Sequence, residues 1–132
     1  IKPILASHRF YISFENSICN DYITEKYFLR LSQLLVPVVL KRKILEDLGL
    51  PSDTFIALDD FGSIRELGKY LNKLRVHDKL YARYFNWTKT LAKPLIYRSD
   101  ALCKICEDIY NGDRFEMRNI VDYYMNKAQC VH

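Results

Sequence analysis

Apolar and polar positions fall into distinct blocks along the 132 residues. Phe10-Tyr11-Ile12-Ser13-Phe14 is aromatic and β-branched and runs into polar residues, which predicts a buried strand feeding a loop. From Thr24 the apolar positions Tyr27, Phe28, Leu31, Leu34 and Leu35 recur with a period near 3.6 and stop before Pro37, predicting a helix of about three turns. Pro37-Val38-Val39-Leu40 is short and continuously apolar, as a parallel strand covered on both faces would be. Thr54-Phe55-Ile56-Ala57-Leu58 repeats that pattern after a Leu-Pro-Ser-Asp loop. Strand, helix, strand, helix, strand predicts an α/β class and half of a parallel sheet.

The second half reads as helical. Ser63-Ile64-Arg65-Glu66 is a capping box followed by Leu67, Leu71 and Leu74 on one face. Leu80, Tyr81, Tyr84, Phe85, Thr88 and Leu91 mark a further helix from Asp78, ended by Pro94. Ser99 is placed to cap a helix bearing Leu102, Ile105, Cys106 and Ile109, and Asp113-Arg114-Phe115-Glu116 is a second capping box before Ile120 and Tyr124. Internal repeats, low-complexity stretches and interdomain linkers are absent from the sequence, so a single domain spanning residues 1–132 is expected.

Between the first strand and the first helix lies an almost unbroken polar run, Glu15-Asn16-Ser17 and then Asp21-Tyr22-Ile23-Thr24-Glu25-Lys26. In an open α/β sheet, ligands bind outside the carboxyl ends of the strands, which is where this run falls. Lys26 is a cation in the first turn of a helix, where the macrodipole favours a carboxylate; the mismatch costs about a few tenths of a kcal/mol unless an anion sits nearby. A diphosphate would reverse the sign. Each residue also has a structural reading: Lys26 extended into solvent beside Glu25, a loop-fixing Glu15, a turn-forming Asn16, a helix-capping Asp21 and a core Tyr22.

Charge and composition narrow the classes. Twenty Lys and Arg against 16 Asp and Glu give +4, which favours an anionic ligand without the dense basic clusters of duplex DNA binders. Nucleic acid is therefore not an expected partner. The most apolar stretch, Leu34 to Leu40, contains Pro37 and falls far short of the roughly 20 residues that span a bilayer. The chain opens on Ile1, and the polar run lies almost at its start, so it is expected to be the C-terminal part of something longer, with room for a membrane anchor upstream. Asn86-Trp87-Thr88 is an N-glycosylation acceptor triplet. Cys103-Lys104-Ile105-Cys106, with Cys130 and His132, admits a zinc reading of unusual tail spacing, and a redox-pair reading that lacks the strand-to-helix setting such pairs use. Asp59-Asp60 is not an Asp-x-Asp metal motif and is better read as a cap or a loop anchor.

The ordered pieces FEN-S, DY-I-TEK and Val36-Pro37-Val38-Val39 resemble the donor-binding signature of the α1,3-fucosyltransferases, glycosyltransferase family 10. The resemblance runs well from about Phe10 to Leu91, through Phe55 to Phe61 and Tyr84-Phe85-Asn86-Trp87. It implies the Rossmann-like, C-terminal donor half of a GT-B type enzyme, with a helical C-terminal part. The implied reaction is inverting transfer of fucose from GDP-fucose to a hydroxyl of N-acetylglucosamine in a glycan. By that resemblance Lys26 neutralises the pyrophosphate, Glu25 bonds the ribose hydroxyls, Tyr22 packs on the nucleoside, and Asn16 with Glu15 fixes the sugar-phosphate end. Thr24 completes the donor set, with Lys26 and Glu25 as the catalytic pair. The resemblance further implies no required cofactor, a divalent cation being compatible but not indicated. It also implies structural disulfides at the Cys103–Cys106 pair, some reaching an N-terminal domain, with Cys130 a further disulfide candidate, and lumenal Golgi residence as a type II membrane protein. The sequence departs from the family in placing Lys41-Arg42-Lys43 where a glycine commonly follows the strand; the triplet fits phosphate contact or a solvated loop equally. The catalytic base and a phosphate-binding arginine are expected upstream, so this chain alone is expected to bind GDP weakly and transfer nothing. Two rival readings stand beside this one: a degenerate, noncatalytic nucleotide-binding module, and a helix-rich adaptor built on Tyr81, Tyr84, Phe85 and Trp87.

Overall fold

The computed structural model describes residues 7–91, 97–114 and 119–131, with backbone alone at 97–101. Three parallel strands, β1 (Phe10–Ile12), β2 (Val36–Val39) and β3 (Ile56–Ala57), form a sheet in the order β1-β2-β3. Phe10 pairs with Val36 and Val38 with Ile56. Helices α1 (Glu25–Leu31) and α2 (Arg42–Asp47) connect the strands.

Side chains alternate across the sheet and feed two cores. On one face Val39 and Ala57 pack with Tyr27 of α1, Leu45 of α2 and Phe55. On the other, Val36, Val38 and Ile56 meet Leu67 and Leu74 of α3 (Ile64–Val76), with Tyr81 of α4 (Asp78–Tyr81) and Tyr84 and Phe85 of the 3-10 segment Ala82–Lys89 around them. This double coverage explains why β2 is apolar at every position. It also draws Tyr81, Tyr84 and Phe85 of the adaptor reading against the core: Tyr81 stacks edge-on against Phe10, and the Tyr70 and Tyr84 hydroxyls lie 2.8 Å apart. Pro37 is tolerated in the central strand because alternate N–H groups point to opposite neighbours. Val36 donates to Arg9 on the β1 side, and pairing with β3 begins only at Val38, so the missing Pro37 N–H forfeits no bond between strands.

Several expected boundaries shift. Helix α1 ends at Leu31, not at Leu35, because Leu34 adopts a left-handed φ of 60° while the Leu35 N–H reaches back to Arg30. This is a Schellman-type stop with leucine where glycine is usual. The turn leaves Leu34 exposed and Leu35 buried, which breaks the 3.6 periodicity. Gly49 closes α2 in the same way, with Leu50 bonding back to Leu45. The expected strand at Thr54–Leu58 is two residues long and turns into a 3-10 segment, Leu58–Asp60. The capping box at Ser63 forms with a shift: Ser63 accepts from the Glu66 N–H, while the Glu66 carboxylate accepts from Gly62 instead of Ser63. The helix expected from Asp78 is one α-turn followed by the 3-10 segment, and Pro94 lies outside the described residues.

Helix α5 (Tyr97–Asn111) starts before Ser99, which is therefore internal and not a cap. Its Leu102, Ile105 and Ile109 are exposed. The second capping box runs beyond the described residues; the short α6 (Ile120–Asp122) is capped by Asn119 and passes into a π-helical turn, Tyr123–Lys127. Cys130, the last cysteine, is bonded to Cys19 across 111 residues. Cys19 lies outside the expected disulfide candidates Cys103, Cys106 and Cys130. In the chain-entropy account a loop of that size contributes roughly 4.7 kcal/mol. The bond removes Cys130 from the zinc reading, while Cys103 and Cys106 are exposed free thiols.

Candidate functional site

The site is built at the carboxyl end of β1, where the chain leaves the sheet. Ser13 fixes this exit: its N–H continues the ladder by donating to Val38, and its buried hydroxyl donates to the carbonyl of Lys26. The first turn of α1 is thereby docked against the strand end. Sequence reasoning misses Ser13, since a serine inside an apolar run carries no signal for a cross-loop bond.

Glu15 organises the loop beyond this exit. One carboxylate oxygen accepts from both the backbone N–H of Thr24, at 2.9 Å, and its hydroxyl, at 2.7 Å. The other lies 3.4 Å from the Lys26 ammonium. The Glu15 side chain is only 11% exposed, so the carboxylate is stabilised by these contacts rather than by water. Thr24 is the N-cap of α1, its hydroxyl accepting from the Lys26 N–H. Asp21, the candidate cap from sequence, instead sits at a left-handed φ of 59° and accepts from the Tyr123 hydroxyl.

Lys26 turns back toward the strand. Its ammonium donates to the Phe14 carbonyl at 3.0 Å and to the Asn16 carboxamide oxygen at 3.2 Å, in addition to its pairing with Glu15. It does not extend beside Glu25. With one third of its side chain exposed, it is both held and reachable. Glu15, Asn16, Thr24 and Lys26 thus form one connected cluster. Tyr22 is partly exposed and lines, with Ser13, Glu15, Ser17, Ile18 and Lys41, a small open cleft. Glu25 stands apart, exposed in the first helical turn and unpaired among the described residues.

The basic triplet divides three ways. Arg42 is locked by Asp60 in a two-pronged pair at 2.7 and 2.6 Å, while Asp59 caps α2 by accepting from the Arg42 N–H. Lys43 pairs with Asp47 on the surface. Lys41 alone lines the cleft, with a loose 3.9 Å contact to Asp59. The Asp59-Asp60 pair is therefore cap and anchor. The Arg42 hydrogen bond holds the Asp60 carboxyl below its ordinary value of 3.8. Because the folded value is lowered, the stabilisation is complete above the ordinary value and disappears as pH falls through the folded one. Asp60→Asn is expected to cost about 1 kcal/mol at neutral pH, with the gap to wild type closing in thermal melts below about pH 4.

Asn86 is exposed on the 3-10 segment, its carboxamide oxygen accepting from Lys89. Among the described residues no group of three or more His, Cys, Asp or Glu is arranged to hold a metal, and no helix is long and apolar enough to cross a membrane.

Comparison with known proteins decides the family. The family model described as glycosyltransferase family 10 (fucosyltransferase), C-terminal, matches residues 1–123. This chain belongs to glycosyltransferase family 10. It is 39% identical over 129 residues to the 4-galactosyl-N-acetylglucosaminide 3-alpha-L-fucosyltransferase 9 of Mus musculus, covering 94% of this chain and 35% of the relative. The Homo sapiens protein of the same name is 38% identical over the same coverage. Alpha-(1,3)-fucosyltransferase fut-1 of Caenorhabditis elegans is 48% identical over 81 residues, covering 61% of this chain and 18% of the relative. The family 10 chain thus spans about a third of the length of the vertebrate relatives it matches.

Proposed function

We propose that residues 1–132 are the C-terminal, donor-binding domain of an inverting α1,3-fucosyltransferase of GT-B architecture. Its donor is GDP-fucose and its acceptor a hydroxyl of N-acetylglucosamine in a glycan of a glycoprotein or glycolipid. The observation that carries the reading is the Lys26 ammonium, held by Phe14, Asn16 and Glu15 at a strand's carboxyl end, inside a chain of family 10. A pre-oriented cation there can take up the charge of a leaving diphosphate without reorganising during the reaction. Helix α1 has only seven residues, so the weight falls on the ammonium rather than on the helix dipole.

The proposed reaction is a single displacement. A base supplied outside this chain removes the acceptor hydroxyl proton, and the oxygen attacks the fucose anomeric carbon. The bond from that carbon to the β-phosphate oxygen breaks, and GDP leaves with the electron pair. Lys26 stabilises the charge that accumulates on the diphosphate, and Lys41, on the wall of the neighbouring cleft, adds a second cation. The exposed Glu25 carboxylate is free to accept two ribose hydroxyls in a fork, Tyr22 offers a flat face to the nucleoside, and Asn16 turns from Lys26 to the phosphate-sugar end. Glu15 and Thr24 act as positioning residues, since their polar atoms are already engaged with each other and with the first turn of α1.

A lumenal Golgi setting, with the membrane anchor outside this chain, fits a disulfide that persists in oxidising compartments and an exposed acceptor asparagine, Asn86. The test is transfer of labelled fucose from GDP-fucose to an N-acetyllactosamine acceptor by the full-length protein. Formation of an α1,3 linkage with inverted anomeric configuration is expected. Nucleotide binding without transfer to any N-acetylglucosamine-containing acceptor would favour the noncatalytic module instead.

A further inference from the structure

The loop that carries Glu15, Asn16 and Tyr22 is fastened at its middle by residues more than a hundred positions away in the chain. Ile18 and Val131 exchange both backbone hydrogen bonds, at 3.0 and 2.8 Å. The Asn20 N–H donates to the Ala128 carbonyl at 2.6 Å, and its side-chain amide donates to the Lys127 carbonyl at 3.1 Å. The Tyr123 hydroxyl donates to Asp21 at 3.3 Å. Between these contacts runs the Cys19–Cys130 disulfide, with Cys19 and Ala128 both buried.

Two backbone features mark the junction as over-determined. The π-helical turn Tyr123–Lys127 ends with the Ala128 N–H bonding to Tyr123, and this is the stretch whose last carbonyls face Asn20. Asp21 on one side and Gln129 on the other both hold left-handed φ values, 59° and 47°, without being glycine. Such conformations persist where the surroundings fix them, and they concentrate at functional sites.

We propose that the segment Tyr123–Val131 is a clamp that positions the donor loop, with Cys19–Cys130 as its covalent element. Tyr22 lies directly after the clamped residues and shares the cleft wall with Ile18, so the clamp sets where the nucleoside-facing ring stands. The clamp rests on the donor-site reading above and adds a role for Tyr123–Val131, which lies outside the FEN-S and DY-I-TEK signature and grips it at Ile18, Cys19 and Asn20 of its spacer and at Asp21. Pre-ordering a loop of this kind raises affinity by removing the ordering cost from binding.

The experiment is calorimetric titration of the full-length protein with GDP, comparing wild type with Cys19→Ser, Cys130→Ser, the double variant and Tyr123→Phe. Titrations run well below each thermal transition, with amide hydrogen exchange followed in parallel. Both single cysteine variants and the double are expected to weaken GDP binding by about the same factor, on the order of tenfold, since each loses the same bond. Exchange should rise across residues 18–24 while β2 stays protected. Tyr123→Phe, which keeps the disulfide and the ring, is expected to weaken GDP binding about two- to threefold. Unchanged affinity in folded cysteine variants, or in Tyr123→Phe should the cysteine variants fail to fold, would overturn the clamp. Absence of GDP binding by the wild type would overturn the donor-site reading itself, and the clamp with it.

Discussion

Lys26→Ala in the full-length enzyme is expected to lower kcat for fucose transfer by about 10² to 10³, while the melting temperature moves by no more than a few degrees. The loss of rate comes from removing one well-aimed donor to the transition-state charge, about 2.7 to 4 kcal/mol. The small change in stability comes from the geometry. Lys26 is one third exposed, and Glu15 keeps its two hydrogen bonds from Thr24 when the ammonium is gone, so the structural loss is about 1 kcal/mol or less. Lys26→Arg restores charge but not shape: the longer fork has to share the space held by the Phe14 carbonyl and Asn16, so partial recovery is expected. Steady-state kinetics beside thermal melts separates the two effects. A variant that melts far lower yet retains donor affinity would show Lys26 to be a structural lysine.

Glu15→Ala is expected to disable the same site by a different route. Removing the carboxylate strips the Thr24 N–H and hydroxyl of their acceptor, where little water can replace it, and leaves the partly exposed Lys26 without its ion pair. Leaving such groups unpaired costs about 1 to 3 kcal/mol, and the entry into α1 loosens with it. Both melting temperature and GDP affinity should therefore fall. Glu15→Gln distinguishes positioning from direct contact: its amide oxygen still accepts from Thr24, so stability should largely return, while the unpaired Lys26 is free to reorient and donor KM stays raised. If Glu15→Gln matched Glu15→Ala in stability, the Thr24 bonds would not be what holds the loop.

Much of this architecture is legible in the sequence, and the exceptions have physical causes. β2 is announced by a continuous apolar run because both of its faces are covered, whereas β1, expected as a buried strand, lies at the sheet edge, only partly buried and with Ile12 exposed. The end of α1 is not announced, because Leu34 supplies a left-handed turn that glycine would have advertised. Within the site, the residue types at 15, 16, 24 and 26 point to phosphate and hydroxyl chemistry, yet only the fold reveals that Glu15 and Thr24 hold Lys26 in place. The Lys41-Arg42-Lys43 triplet reads as one basic patch, but Asp59, Asp60 and Asp47 come close only through β3 and α2, and they leave Lys41 alone facing the cleft. The Cys19–Cys130 bond is invisible to spacing, since 111 residues separate partners that only the completed fold brings together.

The most direct measurement is calorimetric titration of the full-length protein with GDP, with UDP as control. Saturable GDP binding, much weaker UDP binding, and loss of the GDP isotherm in Lys26→Ala are predicted. A protein that melts cooperatively but gives no saturable GDP isotherm, or binds GDP equally well without Lys26, would contradict the assignment of the β1–α1 loop as the donor site.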